Sequence, residues 1–269
     1  LGADSASTLL AEFGILQQSL ITRACERIAS GESHVILVTG GEARYRELCA
    51  GKAGEQVEDT PQPEAAPDVM LTPEAEMWSS VESDSGLGMP VGYYAILDSA
   101  LRAKQGLSVD EHRDHMAQMY ARMSEIAAQN DDAWSDEAVP AQFIRDPSPA
   151  NRMLAFPYTK LHNSQWNVDQ AAGLILCSAG MARKLGIDEA LWVFTLAAAA
   201  SNFMSVVASW PDRGGRPAFR IAGDTATSLA GCQPQRVRYR VLTSCFSYQV
   251  TVAISELGPP PAVAVTALG

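Results

Sequence analysis

The sequence has 269 residues, of which 47% are hydrophobic and 19% are charged, a balance typical of a globular protein with a substantial core. Its formal net charge of −11 argues against nucleic acid as the main partner, because a phosphate-binding surface requires clustered Lys and Arg side chains. The longest apolar runs, such as AAGLILC, are too short to span a bilayer, and the opening residues LGADSAST carry no signal-peptide pattern. The five cysteines are scattered without a CxxC pair, so we expect reduced thiols in the cytoplasm and neither disulfides nor a zinc site.

The first part of the chain predicts a turn, a helix and a strand. Gly14 stands at the turn into the helix, where α/β enzymes often place a nucleophile, but glycine has no reactive side chain. Apolar residues at helical spacing predict a helix over 16–30, and Gly31 is a suitable C-terminal cap. The β-branched run at 35–38 is typical of a buried parallel strand.

The middle of the chain predicts a linker followed by helices. Residues 51–76 are rich in Pro, Glu, Gln and Ala, which is typical of a linker or a loosely ordered excursion. Helices are predicted over 91–104 and 109–130, and Ser108 with Glu111 forms a capping box for the second. His112 and His115 lie three residues apart on that helix, a spacing that can bind metal. Because the surrounding sequence SVDEHRDHMAQ is strongly charged, we interpret both as part of a solvated face and predict no metal site.

After Asp169 the sequence alternates between strands and helices. Strands are predicted in AAGLILCS, LWVFTLAA, VRYRVLT and AVAVTA, and helices in AGMARKLG, RPAFRIAGDTATSLAG and CFSYQVTVAISELG. Strands separated by helices of this length predict a parallel sheet covered on both faces. The predicted fold class is therefore α/β, with a mostly helical insertion between its two ends.

Three segments in this order resemble the thiolase superfamily, in particular thiolase-like proteins often labelled acetyl-CoA acetyltransferases. They are ACERIASGESHVILVTGGEA, NSQWNVDQAAGLILCSAGMARKLGI and VLTSCFSYQVTVAISELG. The resemblance implies αβαβα layers with parallel-rich sheets and a helical loop-domain insertion. It divides the chain into part of an N-terminal domain (1–50), a linker and loop domain (51–168) and a truncated C-terminal domain (169–269). It also implies that the family's first strands and last catalytic segments lie outside this sequence.

The resemblance places the family's catalytic positions on altered residues. The nucleophilic Cys of active thiolases falls at Gly14, which cannot be acylated, so classical thiolase activity is not expected. The family's Asn-Glu-x-Phe motif falls on 243–246, where only Phe246 matches and Thr243 replaces the water-orienting Asn. Cys245 stands just before a predicted helix, a setting that favours a reactive thiol, although a small buried side chain is the alternative interpretation.

A second group of candidates lies in the loop before Asp169. Asn163 matches the family's loop asparagine, and with Gln165 it is a candidate contact for the pantetheine of coenzyme A, as is Phe246 in the later motif. His162 is a candidate general base. For Trp166 and Asp169 we favour structural roles, with Asp169 capping a turn.

These residues lead to a functional hypothesis with open alternatives. The resemblance implies an acyl-CoA-binding protein of acyltransferase type, with coenzyme A or acyl-CoA as substrate or ligand rather than as a covalently bound cofactor. The alternative is a catalytically degenerate partner subunit of an acyl-CoA-handling complex, and a third is a scaffold without chemistry. Either a homodimer or a complex with a small partner subunit fits the resemblance.

Overall fold

The structure is a computed structural model that describes residues 5–58, 66–201, 205–233, 236–237, 241–242 and 244–258. The chain forms two compact units, unit 1 from residues 1–77 and 166–204, and unit 2 from residues 78–165 and 205–269. Each unit therefore combines two separate stretches of the sequence. The three-part division expected from the family resemblance stays a prediction.

Unit 1 mixes strands and helices. Its regular elements are β1 (Leu9–Ala11), α1 (Gln17–Ala29), β2 (Val35–Ala43), α2 (Arg44–Ala53), β3 (Val69–Leu71), β6 (Asp169–Cys177) and α7 (Ala179–Lys184). The predicted first helix and the strand after it are present, and β2 extends to Ala43. The predicted burial of this strand was wrong, because Val35 and Leu37 are 46% and 52% exposed. Strand β1 pairs with β3 in parallel. Helix α1 contacts β2 and β6 and buries Ala24, as its apolar spacing predicts.

The pairing of β2 with β6 corrects one expectation. These nine-residue strands run antiparallel, in a register that extends from Val35 opposite Cys177 to Ala43 opposite Asp169. The parallel arrangement expected for this strand was therefore wrong. The strand–helix alternation rule describes neighbours in sequence, whereas these partners lie more than a hundred residues apart, a separation that permits either direction.

The predicted strand LWVFTLAA was also wrong. Residues 192–200 are described and form neither helix nor strand. Their apolar side chains are largely exposed, with Val193 at 95% and Leu196 at 76%. An apolar run becomes a strand only where a partner backbone accepts its hydrogen bonds. The predicted strand AVAVTA lies outside the described residues, as do Arg238, Tyr239 and Arg240 of VRYRVLT.

Unit 2 is mainly helical. Its elements are α3 (Ser80–Asp84), α4 (Pro90–Gln105), α5 (Val109–Ala127), α6 (Ala141–Arg145), β4 (Met153–Ala155), β5 (Tyr158–Thr159), α8 (Pro217–Leu229) and α9 (Ser247–Leu257). Strands β4 and β5 pair antiparallel. The predicted helices are present, and the capping box predicted at Ser108 and Glu111 is confirmed at the start of α5. The α/β fold class is thus confirmed for the chain.

The core of unit 2 joins α4, α5, β5 and α9. One apolar cluster contains Ala95, Met116, Tyr158 and Phe246. A second contains Leu97, Leu101, Tyr248 and Val252. Helix α4 therefore contributes to both clusters, and α9 is held against it from its first turn onwards. This packing fixes the position of the residues immediately before α9.

Candidate functional site

The start of α9 presents an exposed thiol on an ordered turn. Cys245 is an exposed free cysteine two residues before the first helical residue, Ser247. The Phe246 backbone N–H donates to Ser244 Oγ (3.1 Å), and that hydroxyl lies 2.9 Å from Gln249 Oε1. The exposure of Cys245 contradicts its alternative interpretation as a buried filler. Thr243, the other candidate of this motif, lies outside the described residues.

Phe246 anchors this turn in the core. Its side chain is 3% exposed and stacks on the Tyr94 ring, with the centroids 4.3 Å apart. Tyr158 packs against it at 5.1 Å. Burial, reinforced by the nearby Cys245, raises the pKa of Tyr94 to about 12, although Arg216 and a hydrogen bond from Gln249 oppose this shift. Tyr94 therefore keeps its proton at neutral pH, so its hydroxyl can donate a hydrogen bond as well as accept one. The role of Phe246 in binding substrate stays a prediction.

His162 and Asn163 lie in one tight turn after β5. The Thr159 N–H donates to His162 Nδ1 (3.1 Å), so the neutral ring carries its proton on Nε2. Burial lowers the pKa of His162 to about 4, with Arg113 adding to the effect and the charge of Asp98 opposing it. Asn163 Nδ2 donates to the Thr159 carbonyl (2.9 Å). Both side chains therefore close the turn, whereas Gln165 is exposed.

Tyr120 links this turn to the start of α9. Its hydroxyl donates to the His162 carbonyl oxygen (2.8 Å), and its ring meets the His162 ring edge-on at 5.2 Å. Burial raises the pKa of Tyr120 far above its usual value, although hydrogen bonds from Ser247 oppose the shift. A cavity of about 30 Å³, room for one water molecule, lies between α5 and the start of α9. Its lining residues are Tyr120, Met123, Leu242, Ser244, Phe246, Ser247 and Val250.

A buried polar cluster behind α9 was missed by the sequence analysis. Asp98 of α4 accepts hydrogen bonds from the hydroxyls of Tyr158 and Ser247, the latter at 3.0 Å. His112 of α5 places Nε2 2.9 Å from the other carboxylate oxygen of Asp98. The prediction that His112 lies on a solvated face was therefore wrong, because it is only 5% exposed, whereas His115 is exposed. The available signal was Asp98 itself, a carboxylate among the buried positions of an apolar helix face.

Gly14 and Asp169 belong to unit 1, where both serve the backbone. Gly14 has φ +104°, and a Cβ there would lie 3.0 Å from Pro73 Cγ. Such a φ favours glycine, which agrees with its interpretation as a turn residue. Asp169 Oδ1 accepts from the Arg46 N–H (3.1 Å) in the first turn of α2, the capping role expected for it. Trp166 is 53% exposed, with the Arg44 guanidinium 5.4 Å from its ring centroid.

A second concavity, larger than the cavity beside α9, lies in unit 1 and is lined in part by Asp169. It is an open groove of about 620 Å³ in unit 1, formed by α2, residues 55–58 and Asp169. None of its lining side chains is buried, whereas the turn at Cys245 is anchored by the buried Phe246 and Ser247, so we place the candidate site at Cys245. Among the described residues, no group of three or more His, Cys, Asp or Glu side chains is arranged to hold a metal ion. In the same part of the chain, no helix combines the length and apolar character needed to cross a membrane.

Comparison with solved structures identifies the fold. The chain matches a monomeric SCP2-thiolase-like protein type 1 from Mycobacterium smegmatis with a TM-score of 0.74 and 28% identity over 95% of its length. The chain belongs to the thiolase-like superfamily. It spans about half (49%) of the length of the M. smegmatis protein. No family model and no curated protein sequence matches this thiolase-like chain.

More distant structures share the thiolase-like fold. A structure described as the Ltp2–ChsH2(DUF35) aldolase matches 90% of the chain with a TM-score of 0.61 and 16% identity, over 56% of its own chain. An acetyl-CoA acetyltransferase from Syntrophomonas wolfei matches 89% of the chain with a TM-score of 0.51 and 15% identity, over 59% of its own chain. At these identities the likeness concerns the fold alone.

Proposed function

We propose that this thiolase-like chain binds acyl-CoA and that Cys245 accepts the acyl group. The observation that carries the proposal is the exposed thiol of Cys245 on a fixed turn before α9, in a chain of thiolase-like fold. The N-terminal end of a helix stabilises negative charge, which favours an anionic tetrahedral intermediate formed there. Asn163 and Gln165 are the proposed pantetheine contacts, and coenzyme A enters as part of the substrate.

The proposed step is acyl transfer from one sulfur to another. Cys245 Sγ, as the thiolate, attacks the thioester carbonyl carbon, and a new carbon–sulfur bond forms. The bond between that carbon and the coenzyme A sulfur breaks, and the electron pair leaves with coenzyme A. The released coenzyme A thiolate takes up the proton that Cys245 gave to solvent. Gly14 supplies no nucleophile, so this chemistry differs from that of a thiolase with its first-helix Cys.

His162 is retained in this proposal only as a neutral residue beside the site. A general base must bind a proton near the working pH, and a pKa of about 4 makes His162 a weak base at neutral pH. Its buried position fits a role in holding the turn that carries Asn163. The proton of Cys245 therefore goes to solvent.

Intact-protein mass spectrometry tests the proposal. The 269-residue chain is incubated with acetyl-CoA or acetoacetyl-CoA, and the modified residue is located by peptide mapping. We expect an acyl adduct that disappears in Cys245→Ser. The matched control is Cys49→Ser, because Cys49 is also an exposed free cysteine. An adduct that survives Cys245→Ser would show that this residue is not the acceptor.

The second candidate function is a partner subunit without chemistry of its own. Gly14 and the departures from the Asn-Glu-x-Phe motif favour it, and the Ltp2–ChsH2(DUF35) aldolase is a related fold whose description names two components. Absence of any adduct, with coenzyme A binding retained by calorimetry, supports this alternative. A neighbouring gene for a small acyl-CoA-binding or zinc-ribbon protein would name the partner to test. The M. smegmatis relative is monomeric, so we treat a homodimer as the less favoured assembly.

A further inference from the structure

The buried cluster around Asp98 serves no role in the proposed acyl transfer itself. Asp98 is 1% exposed, Tyr158 is fully buried, and Ser247 and His112 are 2% and 5% exposed. One carboxylate oxygen accepts from the hydroxyls of Tyr158 and Ser247, and the other lies 2.9 Å from His112 Nε2. The contact with His112 is a close polar contact rather than an aligned hydrogen bond.

Burial of such a polar cluster lowers the stability of a helical core unless hydrogen bonds compensate for the lost contact with water. Removing a carboxylate from water is unfavourable unless its oxygens receive hydrogen bonds, and apolar residues of similar shape often stabilise a core equally well or better. Its members come from four elements, α4, α5, β5 and the first residue of α9. A hydrogen-bonded group fixes the relative positions of these elements more tightly than apolar contacts do. The arrangement therefore sets position more than it adds stability.

The part of the molecule that the cluster positions is the start of α9. The Ser247 hydroxyl donates to Asp98, while Ser244 Oγ accepts from the Phe246 N–H. Cys245 stands between these two serines and is itself exposed. The two residues after Cys245 are thus held in place, Phe246 by a hydrogen bond within the turn and Ser247 by a hydrogen bond to the unit's interior.

We propose that Asp98 is a positioning residue that acts through Ser247 to aim the Cys245 thiol at the thioester carbon of acyl-CoA. This inference rests on the proposed acyl transfer. Asp98 contacts neither the thiol nor the substrate. Its effect is on the first turn of α9, and the serine hydroxyl transmits it. A hydroxyl at position 247 is therefore required, and the threonine of Ser247→Thr should serve in place of the serine.

The experiment compares acyl transfer with simple thiol access. Wild type, Ser247→Ala, Ser247→Thr and Asp98→Asn are treated in parallel with acetyl-CoA and with iodoacetamide, and modification at Cys245 is timed by peptide mapping. Because a misplaced reacting atom costs rate, we expect Ser247→Ala and Asp98→Asn to slow acetylation by about tenfold or more. Alkylation, which needs only an accessible thiol, should stay close to wild type. Ser247→Thr should restore acetylation.

Controls separate positioning from general destabilisation. Ser255→Ala changes an exposed serine at the far end of α9, and Asp212→Asn changes an exposed aspartate, so both should acetylate as wild type does. Thermal melts confirm that each variant is folded. The proposal would be overturned if Ser247→Ala were acetylated at the wild-type rate. It would also be overturned if Ser247→Thr folded but were acetylated as slowly as Ser247→Ala.

A second readout keeps the inference testable if wild type accepts no acetyl group. That result would contradict the proposed acyl transfer. Amide hydrogen exchange then tests, without any acyl-CoA, whether Asp98 holds the first turn of α9. Asp98→Asn should speed exchange in the first turn of α9 by about tenfold while α5 beyond Met116 stays protected. Unchanged exchange at the start of α9 would overturn the role of Asp98 independently of any acyl-CoA chemistry.

Discussion

At the residue scale, the site combines one exposed reactive group with several buried polar ones. Cys245 faces solvent, whereas Asp98, His112 and His162 are almost completely buried. A sequence motif located the thiol, because the alignment with Asn-Glu-x-Phe at 243–246 places Cys245 at the third position of the motif. The one sequence signal for the Asp98 cluster was the carboxylate on the apolar face of α4, and its partners are brought together only by packing. The buried polar groups nevertheless determine how the thiol is held.

The buried ring of His162 predicts a pH dependence of stability. Its folded-state pKa of about 4 lies below the ordinary value of 6.5, so the unfolded chain binds more protons between these values. Stability from this residue is therefore complete above pH 6.5 and is lost as the pH falls towards 4, by up to about 1.4 kcal/mol per pH unit. Urea unfolding over this range should show a shallower pH slope for His162→Asn than for wild type. His115→Asn, on the exposed face of α5, should keep the wild-type slope.

At the element scale, helix ends follow local chemistry. The Ser108 N–H lies 2.9 Å from Glu111 Oε2, and the Glu111 N–H donates to Ser108 Oγ (3.2 Å). These reciprocal bonds satisfy amide groups that the helix itself leaves free, so α5 begins where the sequence predicts. The start of α9 is different, because Phe246 offers no capping side chain and the turn depends on Ser244 and on tertiary contacts.

Removal of the cap of α5 should lower stability modestly. Ser108→Ala leaves the Glu111 N–H without its acceptor, so we expect the free energy of unfolding to fall by about 1 kcal/mol. Urea unfolding at neutral pH measures this change. Ser255→Ala, an exposed serine inside α9, is the matched control and should change stability much less. A Ser108→Ala variant as stable as wild type would mean that α5 is held by packing alone.

At the scale of the whole molecule, each compact unit is assembled from two distant stretches of chain. In unit 1 the link is the antiparallel pairing of β2 and β6. In unit 2 a link is the Glu82 carboxylate of α3, which accepts from the Ala208 N–H (2.7 Å) and from the Ser79 N–H (2.9 Å). Burial alone would raise the pKa of Glu82, but these hydrogen bonds outweigh it and lower the pKa below its usual value.

Loss of the Glu82 charge should therefore weaken unit 2. Glu82→Gln keeps the shape but weakens the hydrogen bonds across the two stretches, and we expect a loss of about 1–3 kcal/mol in the free energy of unfolding. The difference from wild type should start to shrink as the pH falls below 4.5 and should disappear once the pH passes the lowered pKa of folded Glu82, because the carboxylate that accepts these hydrogen bonds is then lost. Chemical unfolding at pH 7 and at a series of pH values below 4.5 measures both effects. Asp84→Asn, on an exposed position of α3, serves as the control.

The sequence by itself predicted α1, α4, α5, α7, α8 and α9, the capping box of α5, the α/β class and the family resemblance, but not α2, α3 or α6. These depend on short-range periodicity and on ordered motifs, and α1, α4, α5 and α9 lie close to their predicted ranges. Tertiary structure alone decided the direction of the β2–β6 pair, the irregular course of residues 192–200 and the burial of His112 against Asp98. Local pattern fixes which face of an element is apolar. It does not fix which distant element covers that face, because the free energy of that contact depends on the residues of both elements.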